Sequence, residues 1–273
     1  MIPTNRNPEA IKNPPIVTAK SWSIYNPISK TLINGKQENN RREVASLTKI
    51  MTCIVSIEIA EEERVSLSTR VKVSKGASRI GGTSSKLMEN DEVRIIDLLY
   101  GLMLPSGNDS ALVLAEYFGK FYHESLPVVG FIRVMNYMCG VLNLNNTFFQ
   151  NPHGLSKRPN ISSACDIGLL AAYALENKTF RQIVNTKLYT CEIFNETDGT
   201  REVAWENTNI LLGTHFDGVK TGTTGKAGPC LCVSIKNEAC PYIVTVLNSQ
   251  SSDDRWKDTK VLADWVNRFW SFR

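Results

Sequence analysis

Residues 45–62 read Ala45-Ser46-Leu47-Thr48-Lys49-Ile50-Met51-Thr52-Cys53-Ile54-Val55-Ser56-Ile57-Glu58-Ile59-Ala60-Glu61-Glu62. Leu47, Ile50, Met51, Ile54 and Ile57 or Glu58 recur at helical spacing, which predicts a helix opening at Ser46 and running to about Glu62. Positions i and i+3 share a helix face, so the Lys49 amine reaches the Ser46 oxygen. The same geometry aims the free N–H groups and positive dipole end of the helix at Ser46, where a developing oxyanion would be stabilised. The next two turns are apolar enough to be buried, which puts Lys49 at the edge of a dry site. Desolvation and a nearby cation would lower its pKa from about 10.4 toward neutrality, as a general base requires. A bare S-x-x-K is expected about once in a chain of this length, and an isolated pair reads as a helix N-cap followed by a solvated lysine. The rest of the chain has to decide between the two.

Two further triplets follow in order, Ser106-Gly107-Asn108 and Lys220-Thr221-Gly222. Pro105 ends one predicted helix, and Ser106 to Asn108 form the loop before the next. That loop places Ser106 and Asn108 opposite Ser46; ordinary helix capping is the alternative. Lys220 is the natural cation for Lys49, and Thr221 offers a hydroxyl to a substrate carboxylate. Gly222, on a predicted edge strand, leaves room for a substrate backbone to pair as an added strand. A strand lysine before a turn is the plain alternative for this motif. Taken together, the three triplets supply a nucleophile, two amines that lower each other's pKa, a second hydroxyl and an amide. That set suffices for acyl transfer without a histidine.

Trp22 to Tyr25 and Thr31 to Ile33 alternate around a Pro-containing turn and predict a hairpin. A strand near Val71 to Val73 precedes helices at Arg94–Leu104, Asp109–Phe118, Pro127–Leu142 and Ala164–Glu176. Strands return at Lys187–Phe194, Asp217–Thr221, Cys230–Lys236 and Tyr242–Leu247, and an amphipathic helix closes at about Asp254 to Trp270. Strands at both ends with helices between them predict an α/β (α+β) fold. One sheet lobe (about 21–62 and 187–273) is built from both termini and an all-α lobe (about 63–186) is inserted in it. Residues 1–20, rich in Pro and Asn, are expected to be a flexible segment.

The chain has 273 residues, of which 42% are hydrophobic and 21% charged, enough to bury a substantial core as one large domain or two packed lobes. A net charge of +4 is too small and scattered to propose nucleic acid. The seven cysteines form no C-x-x-C pair, and with His123, His153 and His215 far apart a zinc site is not expected. The thiols read as buried small hydrophobes or free thiols of a reducing compartment. No apolar core of signal-peptide length precedes Lys20, and no stretch approaches the roughly 18 apolar residues of a membrane span.

The three triplets, with Gly81-Gly82-Thr83-Ser84-Ser85, Asn151-Pro152-His153-Gly154-Leu155 and Gly218-Val219-Lys220-Thr221-Gly222-Thr223-Thr224, resemble the low-molecular-weight penicillin-binding proteins of the serine D-Ala-D-Ala carboxypeptidase family. The resemblance runs from about Ser21 to Phe269. It implies a β-lactamase/transpeptidase-like fold, an antiparallel sheet flanked by helices with the site between the lobes, and no cofactor. The implied substrate is a peptide ending in D-Ala-D-Ala, with β-lactams as inhibitors. By the same resemblance Ser46 is the nucleophile and Lys49 its base. Ser106 bridges Lys49 and Lys220, Asn108 holds the substrate amide, and the N–H groups of Ser46 and Thr223 form the oxyanion hole. Thr221, Gly222 and Arg255 hold the substrate's end, although for Arg255 a surface arginine capping a helix is the alternative. His153 reads as part of a turn. A transpeptidase, a class A β-lactamase and a non-enzymatic peptide-binding descendant share the motifs; the β-lactamase needs a Glu-x-x-x-Asn loop that Glu176-Asn177 does not supply. Family members usually carry a signal peptide, and many have a β-rich C-terminal domain with an anchoring helix. This sequence has neither, so either it is trimmed or its location differs.

Overall fold

The computed structural model describes residues 13–213, 215–237 and 241–270. Strands β1 (Ser21–Asn26), β2 (Thr31–Lys36) and β3 (Arg42–Glu43) lead through a 3-10 turn at Ala45–Leu47 into helix α1 (Thr48–Glu62). Then come β4 (Arg70–Lys72), α2 (Lys75–Ser78), β5 (Asp91–Arg94), α3 (Ile95–Met103), α4 (Asn108–Phe118) and α5 (Pro127–Val141). They are followed by β6 (Ile161–Ser162), α6 (Ala164–Ala174), α7 (Lys178–Val184), β7 (Leu188–Asn195) and β8 (Gly199–Glu206). The chain ends with β9 (Phe216–Thr224), β10 (Gly228–Ile235), β11 (Tyr242–Leu247) and α8 (Ser252–Trp270).

The hairpin β1/β2 pairs antiparallel with β11, Trp22 facing Val246, so both ends of the chain build one five-stranded sheet ordered β2-β1-β11-β10-β9. Both faces are covered. Trp22, Ile24, Val233, Tyr242 and Val244 pack with Trp256, Leu262 and Val266 of α8 on one side. Tyr25, Cys230, Cys232 and Ile243 join the core of α1 and α6 on the other. Side chains alternate across a strand, and two covered faces therefore require the nearly unbroken apolar runs of β10 and β11. α1 is buried over most of its length, Ile59 and Ala60 included, because helices surround it. A helix apolar all round is a core helix, and this one anchors the site. β9 is an edge strand of this sheet, as the third motif predicts.

The structure departs from the expected lobes in two places. β7 and β8 do not join the terminal sheet; they continue a second sheet ordered β4-β5-β7-β8, so the segment between the terminal strands is not purely helical. Buried Asp91 makes this pairing, accepting from Asn195 Nδ2 (2.9 Å), Met88 N (2.7 Å) and the Arg201 guanidinium (Nη1 at 2.7 Å). At the N-terminus, residues 17–19 are not loose. Val17 and Ala19 are buried, and Asp258 of α8 accepts from Thr18 N, Thr18 Oγ1 and Ala19 N at 2.8, 2.8 and 2.9 Å. Residues 1–12 of the expected flexible segment lie outside the described residues. Among the described residues no helix is long and apolar enough to cross a membrane.

Candidate active site

Ser46 sits half-buried in the 3-10 turn, two residues before α1, and Leu47 rather than Ser46 caps the helix. Two glycines close on its backbone. Gly154, at φ +95°, lies so near that a Cβ there would meet Ala45 O at 2.1 Å and Ser46 N at 2.9 Å. A Cβ on Gly222 of β9 would stand 3.0 Å from Ser46 N and 3.1 Å from Val44 O. Glycine is required at 154, where backbone meets backbone at a positive φ, and a side chain at 222 would be tight against the Ser46 turn. Ala45 itself is held at φ +47°, a strained conformation for a residue with a side chain, at the one turn that presents the hydroxyl.

One turn on, the Lys49 amine is fully buried. Its Nζ lies 2.9 Å from Ser46 Oγ, 2.7 Å from Asn108 Oδ1 and 2.7 Å from the carbonyl oxygen of His153. Burial, and then the positive charge of Lys220, hold its pKa well below that of an ordinary lysine, against a smaller opposing effect of Asp109. Asn108 opens α4 and donates from Nδ2 to Gly81 O at 2.8 Å. Its neighbour Asp109 accepts from Ser85 N at 2.9 Å, Ser84 Oγ at 2.6 Å and Leu87 N at 3.2 Å, which draws the 81–87 stretch over the helix start. Ser106 is buried at φ +64°, its carbonyl taking the Thr83 hydroxyl at 2.5 Å. Its own Oγ has no hydrogen-bond partner, so the expected bridge from Lys49 to Lys220 is not formed.

From the opposite wall, β9 supplies Lys220, buried, with Nζ 3.2 Å from Thr221 O. Burial and then the Arg255 guanidinium push its pKa down to about 7. Arg255, in the first turns of α8, is not a surface cap. It donates from Nη1 to Thr223 Oγ1 at 3.1 Å and lies 4.4 Å over the Trp256 ring. Thr221 Oγ1 shares a hydrogen bond with Thr208 Oγ1 at 2.8 Å. The candidate site residues thus lie on two walls, Ser46, Lys49, Ser106 and Asn108 on the helical one, and Lys220 to Thr223 of β9 with Arg255 of α8 on the other.

Two further stretches reach the site from outside the three triplets. The 151–155 turn reaches Lys49 through the His153 carbonyl, not through its ring. Burial and the charge of Lys49 push that imidazole down to about 4, and its Nδ1 accepts from Leu155 N at 3.1 Å. Asn151 shapes the turn from within, its Oδ1 accepting from His153 N (3.2 Å) and Gly154 N (2.6 Å). The stretch holding Thr208 is the other. Among the described residues no three His, Cys, Asp or Glu side chains gather as a metal site would need.

The profile of the family described as D-alanyl-D-alanine carboxypeptidase, peptidase S11, matches residues 8–251. The D-alanyl-D-alanine carboxypeptidase of Streptomyces sp. (strain K15) is 34% identical over 261 residues, covering 93% of this chain and 88% of that one. D-alanyl-D-alanine carboxypeptidase DacF of Bacillus subtilis (strain 168) is 30% identical over 250 residues, 91% of this chain but 62% of the relative. The chain therefore spans less than two thirds of the Bacillus protein. Among solved structures, the Streptomyces K15 DD-transpeptidase superposes with a TM-score of 0.87 at 33% identity over 93% of this chain and 98% of that one. Penicillin binding protein 6B from Escherichia coli gives 0.81 at 27% identity, over 96% and 81%. Two walls meeting at a serine and a buried lysine, on a fold shared along nearly the whole chain, place this protein in the D-alanyl-D-alanine carboxypeptidase family.

Proposed function

We propose that the chain is a serine-type D-alanyl-D-alanine carboxypeptidase that removes the terminal residue from peptides ending in D-Ala-D-Ala through an acyl-enzyme on Ser46. The observation that carries this reading is the surroundings of Lys49 Nζ. A neutral amine has two N–H donors and one lone pair. The two carbonyl oxygens at 2.7 Å, Asn108 Oδ1 and His153 O, accept the donors, which leaves the lone pair for the Ser46 hydroxyl at 2.9 Å. Burial and the charge of Lys220 keep the amine neutral enough to take that proton.

Ser46 Oγ attacks the carbonyl carbon of the penultimate D-alanine, and the developing oxyanion is received by the N–H groups of Ser46 and Thr223. As the C–N bond breaks, the departing amine takes a proton, for which the unbonded hydroxyl of Ser106 is the available relay. Asn108 orients the substrate amide, while Thr221, Thr223, Lys220 and Arg255 form the positive end that receives the terminal carboxylate, with Gly222 leaving room beside it. Water then cleaves the ester. A β-lactam enters the same cycle with its leaving group tethered, so its acyl-enzyme persists. A β-lactamase reading finds no support at Glu176-Asn177, since Glu176 pairs with Lys30 on the surface and Asn177 caps α7.

Intact-protein mass spectrometry after timed incubation with benzylpenicillin tests the reading. The wild-type chain is expected to gain a lasting adduct of the drug's mass and Ser46→Ala none; no adduct with the drug unconsumed, or an adduct that survives Ser46→Ala, would sink it.

A further inference from the structure

Thr208 lies outside the three motifs, an exposed residue in the partly buried stretch between β8 and β9, yet it is fastened to both walls of the cleft. Its N–H donates to Leu104 O at 3.2 Å, two residues before Ser106, and its hydroxyl lies 2.8 Å from that of Thr221. The flanking asparagines hold this stretch firmly. Asn207 Nδ2 donates to Val184 O and Thr186 O at 3.1 Å each, and Asn207 Oδ1 accepts from Asn209 N at 2.9 Å. Asn209 Oδ1 accepts from Leu211 N at 3.0 Å. With the backbone fixed by these bonds, the Thr208 hydroxyl is not needed to hold the loop. It is exposed, while its partner Thr221 is 6% exposed.

Two hydroxyls in contact share one proton and keep one. If Thr208 donates to Thr221, the Thr221 proton is left to donate to an anion; if the direction reverses, the free proton is that of Thr208. In either arrangement the pair presents a donor polarised by its neighbour. Along β9, Thr221 and Thr223 are two residues apart and so on one face of the strand, and Thr223 Oγ1 holds the Arg255 guanidinium. Thr208, Thr221 and Arg255 thus bring hydroxyl and guanidinium donors together beside this edge strand, while the Thr223 hydroxyl donates to Gly222 O at 2.7 Å and accepts from Arg255.

The geometry points to Thr208 as a specificity-determining residue: through the hydroxyl pair it selects acyl donors that carry a carboxylate next to the scissile bond. This deepens the carboxypeptidase reading and rests on it for the substrate's identity. Thr208 does not touch the reacting atoms; it acts through Thr221 and at the substrate's charged end.

The test compares benzylpenicillin with its methyl ester, which keeps the β-lactam and loses the anion, as acylating agents of wild type, Thr208→Val and Thr208→Ser. Thr208→Val conserves shape and removes the donor. It is expected to slow acylation by benzylpenicillin about tenfold, the worth of one hydrogen bond to a charged group, while acylation by the ester stays within about twofold of wild type. Thr208→Ser is expected to restore the wild-type ratio. Equal loss with both compounds would mark a merely structural residue, and no loss with either, or a wild type that does not distinguish them, would overturn the assignment. D-alanine release from a D-Ala-D-Ala peptide is followed in the same preparations: its absence alongside a carboxylate-dependent loss in Thr208→Val would contradict the carboxypeptidase reading and leave the role of Thr208 standing.

Discussion

At the scale of the residue, the proposed catalysis rests on two buried amines whose pKa values are both lowered. The proposed mechanism needs Lys49 neutral, so the rate is expected to rise as pH rises through its pKa. Lys220 is the second cause, after burial, of that pKa being low. Lys220→Gln removes the repulsion, raises the pKa of Lys49 and moves the acid limb of the acylation profile to higher pH. The position of the limb, measured with a fluorescent penicillin, separates this from lost binding, and a limb that does not move would count against the pairing. What the sequence showed at this scale was side chains with a spacing: Ser46 and Lys49 one helical turn apart, Lys220 and Thr221 on an edge strand. It did not show the His153 carbonyl, because a backbone oxygen has no signature beyond the turn chemistry of 151–155. Nor did it show that Ser106 Oγ stands unbonded, since that depends on a φ of +64° and not on residue type.

At the scale of the element, the nucleophile turn is clamped by packing that tolerates no side chain. Gly154→Ala puts a methyl 2.1 Å from Ala45 O at a φ of +95°. It is expected to cost about 1–3 kcal/mol of stability by thermal or denaturant unfolding, and to slow acylation by displacing Ser46. Gly81→Ala meets nothing within 4 Å and is the control, expected to stay within about 0.5 kcal/mol of wild type. Equal effects would mean that the clamp is not tight. Long elements were legible because their apolar period repeats: α1, α5 and β11 stand almost where the spacing puts them. The four-residue β5 is too short for periodicity to register, and β8 alternates exposed charges with few apolar residues. They flank β7, and the Asp91–Arg201 contact that ties them across it joins distant parts of the chain, so the second sheet could not be read locally.

At the scale of the whole molecule, both termini were legible as one sheet, because strand-like runs at each end leave an unpaired edge that the other completes. The cost of the site also appears at this scale. Lys220 has a folded pKa near 7, whereas in the unfolded chain a lysine titrates near 10.4. Between those values the unfolded state binds more protons, so this residue makes stability rise with pH across that window. Lys220→Met, which fills a similar volume without the amine, is therefore expected to melt above wild type at pH 7, with the difference shrinking toward pH 10. A variant less stable at pH 7 would mean that the cation is paid for by contacts it makes. In the proposed reaction Ser46, served by Lys49, cleaves the terminal D-alanine, which is read out as D-alanine released from a peptide ending in D-Ala-D-Ala by wild type, Ser46→Ala and Lys49→Met side by side. Continuous release by wild type and release at the uncatalysed rate by both variants are expected; wild-type release that persists in Ser46→Ala, or none from a wild type that forms the penicillin adduct, would contradict this mechanism.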